Sequence, residues 1–430
     1  MPLNLLFDAR PLVDQRSGGV RRVARMLLEE LLATQPDMQI TCVTTGIRKP
    51  VLPDPFATHP HVTHLHITIP NKLWSLLAMF GIVSLDGVAA RMQKEFGIWN
   101  LEFGFRSRPN SKLQIPNSSS NDATTQRRQT QRVFDAVILP NLGFVGFMET
   151  PYALVMHDCS FLIEPRWFPL KMQYWHLAVN PKEIARRAQR IFCVSETTAR
   201  DTERLLKVPR EQIRVFQPGV PVMNGAASSE QRASSDFPMP DAPCPMPFIL
   251  TFSETDPRKN TVTAIAAVEE LRKEERFKNL RLIIIGSKKE NGTWNMEHDR
   301  SIDILPTPHA PRPTHPPITR LPSVTDAELA ELYRTASAVC YPSWYEGFGL
   351  PLHEAARYGT PCLASVMGSL PETAPAGTVF LPPSKPHLWT AMLREVLEMP
   401  DRYRTTCDAS ALKTDLAPIT EWLNKIEKHV

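Results

Sequence analysis

The most informative stretch of this 430-residue chain reads Pro342-Ser-Trp-Tyr-Glu346-Gly-Phe-Gly-Leu-Pro351-Leu-His-Glu354-Ala-Ala-Arg-Tyr-Gly359-Thr-Pro361. Its pattern predicts a strand, a glycine loop, a helix and a second strand. Glycines let the backbone approach a ligand closely, and the start of a helix offers free N–H groups to a phosphate. The stretch therefore predicts a ligand site at the carboxyl end of a strand in an open α/β sheet.

Within this stretch, Glu346 and Glu354 stand eight positions apart. A carboxylate can accept paired hydrogen bonds from adjacent hydroxyls, so two of them suit a polyhydroxylated ligand. Taken alone, a solvated loop carboxylate and a helix-surface charge would explain the two residues equally well. The neighbouring glycines favour the ligand site.

Outward from this stretch, short apolar runs alternate with helical patterns, which predicts α/β layering with parallel sheets. Strands are expected at 3–7, 39–43, 136–139, 153–156, 191–194, 213–216, 248–252, 280–285, 338–341 and 361–365. Helices are expected at 20–32, 73–80, 181–188, 195–206, 261–275, 325–335, 350–358, 387–397 and 419–430. The expected fold is two doubly wound domains that face each other across a cleft.

Composition shifts place the domain boundaries. Residues 1–220 form the expected first domain, 221–247 a Pro/Ser-rich linker, and 248–430 the second domain, whose last helix could pack back on the first. Two further inserts interrupt the alternation: a polar, low-complexity stretch at 106–132 and a proline-heavy one at 287–317.

The overall composition excludes several classes of protein. The chain is 42% hydrophobic and 22% charged, with a mean hydropathy of -0.23, which rules out a wholly disordered or fibrous chain. A net charge of +4 is too small to indicate nucleic-acid binding. Seven cysteines without any C-x-x-C indicate reduced thiols and a cytoplasmic location.

Contact with a membrane is an open possibility. Residues 1–220 carry 27 Lys and Arg against 19 Asp and Glu, which indicates either an anionic partner or surface or no more than sampling noise. The apolar segment 72–84 is too short to span a bilayer. It could lie among anionic headgroups at the inner face of the cytoplasmic membrane, or simply pack in the core of the first domain.

Cationic and histidine residues follow other predicted strands. Arg258 and Lys259 lie in a Pro-Arg-Lys-Asn turn and could meet a diphosphate, or could be ordinary surface charge. His157 follows an apolar strand and could face the cleft, or could be a core histidine. Gly18 and Gly19 precede a predicted helix, but their spacing is not the G-x-G-x-x-G of a nicotinamide site.

Metal sites are not indicated. The segment with His61, His64 and His66 is interpreted as a solvated edge strand or loop, because it has no carboxylate partner. No D-x-D occurs anywhere in the chain.

Taken in order, these motifs resemble those of the retaining, nucleotide-sugar-dependent glycosyltransferases of family 4 (group 1), which have the GT-B fold. The resemblance covers most of the chain. It includes Ser17-Gly-Gly-Val-Arg-Arg22, His157-Asp-Cys-Ser-Phe161, Ala188-Gln-Arg-Ile-Phe-Cys-Val-Ser-Glu196, Pro257-Arg-Lys-Asn260, Leu321-Pro-Ser-Val-Thr-Asp-Ala-Glu-Leu-Ala-Glu-Leu-Tyr333 and the E-x7-E pair. The segment Gln217-Pro-Gly-Val-Pro221 departs from the family's P-N-G-V-D-like turn, which leaves the local hinge geometry open.

The resemblance implies roles for individual residues. The implied catalytic residues are His157, Arg258, Lys259 and Glu346. The implied donor-binding residues are Gly18, Gly19, Gly347, Phe348, Gly349, Leu350 and Glu354. Glu346 would contact donor-sugar hydroxyls, Glu354 the ribose and His157 the sugar, while Arg258 and Lys259 would stabilise the departing diphosphate.

The resemblance also implies the reaction and its partners. The first domain would bind the acceptor, a growing glycan or lipid-linked molecule of polysaccharide or lipopolysaccharide assembly, and the second would bind the nucleotide sugar. No cofactor or metal is expected beyond this co-substrate. GDP-mannose is the favoured donor, with UDP-glucose and UDP-N-acetylglucosamine open. The alternatives are a non-catalytic nucleotide-sugar-binding protein, or a GT-B epimerase or phosphorylase.

Overall fold

The computed structural model describes residues 3–14, 18–96, 133–220, 247–286, 318–407 and 413–428. Most of the three predicted inserts, at 106–132, 221–247 and 287–317, lies outside these ranges. Among the helices of the described part, none is long and apolar enough to cross a bilayer.

Two sheets organise the chain. The first contains β1 (Asn4–Asp8), β2 (Gln39–Thr45), β3 (Val62–Ile67), β4 (Ala136–Leu139), β5 (Tyr152–Met156), β6 (Arg190–Cys193) and β7 (Ile213–Val215), in the order β3-β2-β1-β4-β5-β6-β7. The second contains β8 (Phe248–Phe252), β9 (Arg281–Ile285), β10 (Ile318–Leu321), β11 (Ala338–Tyr341), β12 (Cys362–Ser365) and β13 (Val379–Leu381), in the order β10-β9-β8-β11-β12-β13. Each pairing whose register is described is parallel.

Helices lie between most consecutive strands, whereas irregular loops join β2 to β3 and β4 to β5. The helices are α1 (Arg10–Val13), α2 (Gly18–Thr34), α3 (Asn71–Met79), α4 (Leu85–Phe96), α5 (Ser160–Ile163), α6 (Leu170–Val179), α7 (Pro181–Arg187), α8 (Glu196–Leu206), α9 (Thr261–Leu271), α10 (Asp326–Thr335), α11 (Leu350–Ala356), α12 (Leu370–Thr373), α13 (Pro386–Glu398) and α14 (Ala417–Glu427). Short 3-10 helices lie at Pro165–Trp167, Arg210–Gln212, Pro257–Lys259, Glu275–Phe277 and Pro400–Tyr403.

Both sheets reverse their strand order beside the first strand, which is the doubly wound arrangement. In the second sheet, neighbouring residues of one strand enter different cores. Leu250 packs with Tyr333 on one face, while Ile249 packs with Trp389 on the other. Burial on both faces explains why these strands are continuous apolar runs. The predicted α/β fold class of two Rossmann-like domains is confirmed.

The chain divides into two compact units. The first comprises Met1–Val155, Arg187–Arg190 and Ile419–Val430, and the second comprises Met156–Arg186 and Ile191–Pro418. Most of α14 thus belongs to the first unit, where the Trp422 indole donates a hydrogen bond to Gln189 at 2.9 Å.

Some helix ends differ from the sequence prediction. The capping box of Thr325 and Glu328 is present at the start of α10, as predicted. The helix expected over 261–275 ends at Leu271, because the chain turns there into a separate 3-10 segment. Helix α6 was not predicted, since its apolar residues lack the periodicity of a helix with one buried face.

Candidate active site

The glutamate loop connects β11 to α11 in the second unit. Gly349, the last residue before α11, has a φ of +89°, which strains any residue with a Cβ. A Cβ at this position would also lie 2.7 Å from the Leu370 side chain. Glycine at 349 is therefore required by the turn itself.

Gly347 brings the glutamate loop against His157. A Cβ on Gly347 would lie 1.7 Å from the His157 carbonyl oxygen and 3.1 Å from Cβ of Asp158. Such an approach is possible only for glycine. The backbone of the predicted catalytic histidine and the predicted donor loop are thus in contact.

Lys259 and Glu346 form an ion pair in this site. The Lys259 ammonium donates to Glu346 Oε1 at 2.6 Å and to the Tyr341 hydroxyl at 2.7 Å. Burial favours the neutral amine, but Glu346, through its charge and hydrogen bond, together with Tyr341 outweighs burial and raises the pKa of Lys259. Lys259 therefore remains a cation at any physiological pH.

Arg258 is held by two carboxylates. Asp256 accepts from its Nε at 3.0 Å and from its Nη2 at 2.7 Å, and Asp158 accepts from Nη1 at 3.1 Å. The Ser160 hydroxyl also accepts from Nη1, at 2.9 Å, and the guanidinium carbon lies 5.3 Å from the centre of the Phe168 ring. These contacts fix the orientation of Arg258 and occupy most of its donors.

The two aspartates stay ionised. Burial raises the pKa of a carboxyl group, but the charge of Arg258 and the hydrogen bonds of Ser160 leave the pKa of Asp158 below its usual value. Arg258 likewise lowers the pKa of Asp256 against the effect of burial. The site thus has three carboxylates, on Asp158, Asp256 and Glu346, for two cations. Any anion that binds Lys259 must compete with Glu346.

The Pro-Arg-Lys-Asn turn is joined to the glutamate loop through the backbone. The Trp344 N–H donates to the Arg258 carbonyl at 2.7 Å, and the Asn260 amide donates to the Pro342 carbonyl at 3.0 Å. Asn260 adopts a left-handed φ of 50°, which asparagine tolerates better than most residues. The two motifs that the sequence singled out are therefore one rigid assembly.

Glu354 lies beneath this loop rather than at its mouth. Its side chain is completely buried, and its Oε2 accepts a hydrogen bond from the Tyr333 hydroxyl at 2.8 Å. The interpretation of Glu354 as a helix-surface charge is therefore wrong. Its predicted contact with a ribose stays a prediction.

Phe348 and Leu350 are both nearly buried at the end of the loop. The Phe348 ring stacks on His353 with 4.6 Å between ring centroids. Burial lowers the pKa of His353 to about 4, so this ring is neutral at physiological pH. A neutral, stacked ring supports the backbone between Gly347 and Leu350 without adding charge to the site.

Gly18 and Gly19 lie in the first unit, at the start of α2. A Cβ on either residue would have no atom within 4 Å among the described residues, and neither has the positive φ of a glycine turn. Local packing therefore does not explain why these residues are glycines. Their predicted contact with the donor remains a prediction.

The family of the chain follows from a comparison of its sequence. Residues 178–428 match the model of a family described as "Family 4 Glycosyltransferase in conflict systems". This match covers more than half of the chain. The chain belongs to this glycosyltransferase family. The predicted membership in glycosyltransferase family 4 is thereby confirmed.

Curated relatives of this glycosyltransferase include sugar transferases of several bacteria. It is 28% identical over 251 residues to the D-inositol 3-phosphate glycosyltransferase of Kineococcus radiotolerans, covering 55% of each chain. It is 29% identical over 251 residues to the MMP alpha-(1->4)-mannosyltransferase of Mycolicibacterium hassiacum, covering 56% of this chain and 54% of the relative. The glycosyltransferase thus spans about half the length of these relatives.

Solved structures share the fold of the glycosyltransferase over its whole length. Sucrose-phosphate synthase from Thermosynechococcus elongatus superimposes with a TM-score of 0.61 and 17% identity, covering 100% of this chain and 99% of that one. Anabaena HepE in complex with UDP and glucose gives a TM-score of 0.56 at 12% identity, with both chains covered completely. The predicted GT-B fold is confirmed.

Sequence reasoning missed several residues of the candidate site, chiefly Asp256, Tyr341 and Tyr333. A recurring sequence pattern, an acidic residue two positions before an arginine, could have pointed to Asp256. Asp8 with Arg10 and Glu164 with Arg166 make the same side-chain pair and backbone cap as Asp256 with Arg258. The tyrosines had no such signal, since their contacts depend on tertiary packing.

The histidines of β3 are structural. The strand lies at the edge of its sheet, which agrees with the interpretation as an edge strand rather than a loop. The Thr44 hydroxyl, however, forms hydrogen bonds with both His64 (2.8 Å) and His66 (2.9 Å). His66 is buried, so the prediction of a solvated segment is wrong there. Within the described ranges, no group of three or more His, Cys, Asp or Glu residues could hold a metal ion.

Proposed function

We propose that this glycosyltransferase is a retaining hexosyltransferase that moves a mannosyl group from GDP-mannose to a hydroxyl group. The acceptor would be a glycan or lipid-linked molecule of polysaccharide or lipopolysaccharide assembly. The similarity to mannosyltransferases supports this sugar: besides the M. hassiacum enzyme, the O-antigen chain mannosyltransferase B of Escherichia coli is 27% identical over 230 residues, covering 50% of this chain and 53% of the relative.

The observation that carries the proposal is the Lys259–Glu346 ion pair beside the backbone of His157. When the donor enters, its diphosphate takes over Lys259, because a diphosphate carries more charge than one carboxylate. Glu346 is then free to accept hydrogen bonds from sugar hydroxyls. One exchange of partners thus prepares both halves of the donor site.

The chemical step breaks the bond between the anomeric carbon and the diphosphate oxygen. The acceptor oxygen forms the new bond on the same face, and the departing phosphate oxygen takes the acceptor proton. Negative charge grows on the diphosphate, where Lys259 stabilises it electrostatically. Arg258, already bound to Asp158 and Asp256, would act by holding its neighbours in place and by adding positive potential.

The proposed reaction does not use a metal ion. The chain has no D-x-D sequence, and Lys259 with Arg258 supplies cationic groups where the leaving group would stand. In this scheme, His157 contacts the sugar and Glu354 the ribose, and Gly18 and Gly19 contact the donor. No other cofactor takes part.

The donor would be identified by thermal shift with GDP-mannose, UDP-glucose and UDP-N-acetylglucosamine. A bound donor raises the melting temperature by mass action, so we expect the largest increase with GDP-mannose. The structure of Anabaena HepE was solved in complex with UDP-glucose, so UDP-glucose is the main alternative to GDP-mannose as the donor. A larger increase with UDP-glucose would refute the mannosyl assignment but leave the transferase intact.

Turnover separates a transferase from the alternatives. With donor and acceptor, a transferase releases nucleotide diphosphate and forms a product with retained anomeric configuration, which NMR coupling constants report. A non-catalytic binding protein would release no nucleotide. An epimerase would convert the donor without an acceptor, and a phosphorylase would require inorganic phosphate. Any of these results would contradict the proposal.

A further inference from the structure

Helix α3 has an apolar outer side. Its inner side packs in the first unit, where Trp74 and Ala78 are buried and the Trp74 indole donates to the Phe144 carbonyl at 2.9 Å. Leu77 is half-buried, whereas Leu73, Leu76 and Met79 of α3 and Phe80 and Ile82 just after it are exposed. A surface helix normally turns polar residues outward, so this side is unusual.

The exposed surface continues onto two neighbouring loops. The Phe147 ring, itself exposed, lies against Gly81, where a Cβ would approach it to 2.6 Å. The loop after β2 begins beside α3, because the Thr45 hydroxyl donates to Asn71 at 2.9 Å. We define the α3 surface by its exposed apolar residues, which are Ile47, Leu73, Leu76, Met79, Phe80, Ile82 and Phe147.

Cationic residues surround the α3 surface. Arg48 and Lys49 are exposed between Ile47 and Val51, and Lys72 is exposed at the start of α3. The Arg187 guanidinium carbon lies 4.8 Å from the centre of the Phe147 ring. Apolar exposure beside cations is typical of proteins that rest on anionic lipid.

Among the described residues, few acidic side chains are close in sequence to the α3 surface. Asp54 is the sole carboxylate between Gly46 and Val83 in the sequence. Asp86, just after the surface, is buried and accepts N–H bonds from Gly87, Glu149 and Thr150. Glu149 is exposed close to Phe147 and is the one carboxylate of this loop. Positive charge therefore predominates.

We propose that the α3 surface binds peripherally to a membrane that contains anionic lipids. Phe80, Ile82 and their neighbours enter the boundary between headgroups and acyl chains, while Arg48, Lys49 and Lys72 meet lipid phosphates. A second copy of the chain fits less well, because two such surfaces would place like charges opposite each other. The proposal does not depend on which sugar is transferred.

Co-sedimentation with vesicles tests the proposal. We expect the purified protein to bind vesicles of phosphatidylcholine mixed with phosphatidylglycerol at low salt, and pure phosphatidylcholine far less. High salt should weaken the binding, because it screens the attraction between lysines or arginines and phosphates. Absence of binding to the anionic vesicles at low salt would overturn the proposal.

Two double variants locate the binding surface. Phe80→Ser with Ile82→Ser changes two residues that are each 67% exposed, so it should remove binding and leave the melting temperature nearly unchanged. The matched control is Leu170→Ser with Leu177→Ser on α6, where the residues are 70% and 76% exposed. We expect the control to bind like the wild type, and equal loss in both would overturn the assignment.

A charge variant gives an independent readout. Arg48→Glu with Lys72→Glu should weaken binding to anionic vesicles at least tenfold without affecting the apolar residues. This variant also tests the surface if Phe80→Ser with Ile82→Ser proves unstable. Unchanged binding of the charge variant would contradict the proposal. A stable dimer that dissociates when Phe80 and Ile82 are replaced would show that a second copy covers the surface instead.

Discussion

The Lys259 ammonium and the Glu346 carboxylate lie 2.6 Å apart, although 87 positions separate them in the chain. Both side chains are largely buried, at 18% and 12% exposed. At such a site each charge needs the other, and removing one leaves an uncompensated ion. The pair therefore links the stability of the unliganded protein to the charges that donor binding uses.

Lys259→Ala should lower turnover by an amount equivalent to about 2–4 kcal/mol of transition-state stabilisation. The reason is that Lys259 stabilises charge that grows as the diphosphate departs. Steady-state kinetics with the identified donor would measure the effect. Wild-type turnover in Lys259→Ala, in Arg258→Ala and in the double variant would mean that the diphosphate binds elsewhere.

Arg258→Ala should lower stability as well as turnover, because it leaves Asp158 and Asp256 unpaired. The cost should be about 3 kcal/mol, as for other buried ion pairs that lose one partner. Arg258→Lys should restore little of the stability lost in Arg258→Ala, since an ammonium cannot bind both carboxylates with the geometry of a guanidinium. Denaturant unfolding would measure both variants, and wild-type stability of Arg258→Ala would contradict the structural role.

Gly347→Ala should prevent correct packing of the glutamate loop, because the new Cβ would meet the His157 carbonyl at 1.7 Å. Gly19→Ala is the matched control, since its Cβ would meet no described atom within 4 Å. We expect the control to fold like the wild type, and thermal melting would compare the two. If Gly19→Ala nevertheless loses donor affinity, Gly19 approaches the donor as predicted.

Glu354→Ala should weaken the binding of free nucleotide diphosphate, whereas Glu346→Ala should abolish transfer with less effect on nucleotide binding. Tyr333→Phe is the control, because it removes the hydrogen bond to Glu354 but keeps the carboxylate. Calorimetry would give the affinities. Equal loss of nucleotide affinity in both glutamate variants would refute the assignment of ribose and sugar contacts.

Stability should fall on mild acidification through His64. Burial, with the nearby positive charge of Lys49 and the neighbouring His66, lowers the pKa of His64 from 6.5 to about 4. The folded protein therefore keeps His64 neutral while the unfolded chain protonates it, so stability is complete above about pH 6.5 and decreases towards pH 4. His64→Gln should reduce this loss. If the melting temperature of His64→Gln falls between pH 6.5 and pH 4 as steeply as that of the wild type, the prediction is wrong.

Transferase activity should survive an excess of chelator, because Lys259 and Arg258 supply the positive charge at the leaving group. Release of nucleotide diphosphate with and without chelator would measure this. Complete loss of activity that a divalent ion restores would count against the metal-free mechanism. The Lys259→Ala variant should be equally insensitive to added metal.

The sequence alone determined the layers of the fold. Apolar runs such as Phe248–Phe252 are buried on both faces of a parallel sheet, so local composition predicts them. The capping box at Thr325 and the left-handed glycine at 349 are also local requirements of the backbone. These features depend on neighbours within a few residues, and the sequence displays those neighbours directly.

Only the tertiary structure decided which charges meet. Asp158 and Arg258 are 100 positions apart, and their contact depends on how Met156–Arg186 folds into the same unit as β8 and β11. Likewise, segment 72–84 contains both a core residue, Trp74, and exposed ones such as Phe80, because helix orientation rather than composition selects the buried side. Spacing along a chain constrains partners a turn apart, whereas burial and long-range ion pairs arise only when distant segments pack.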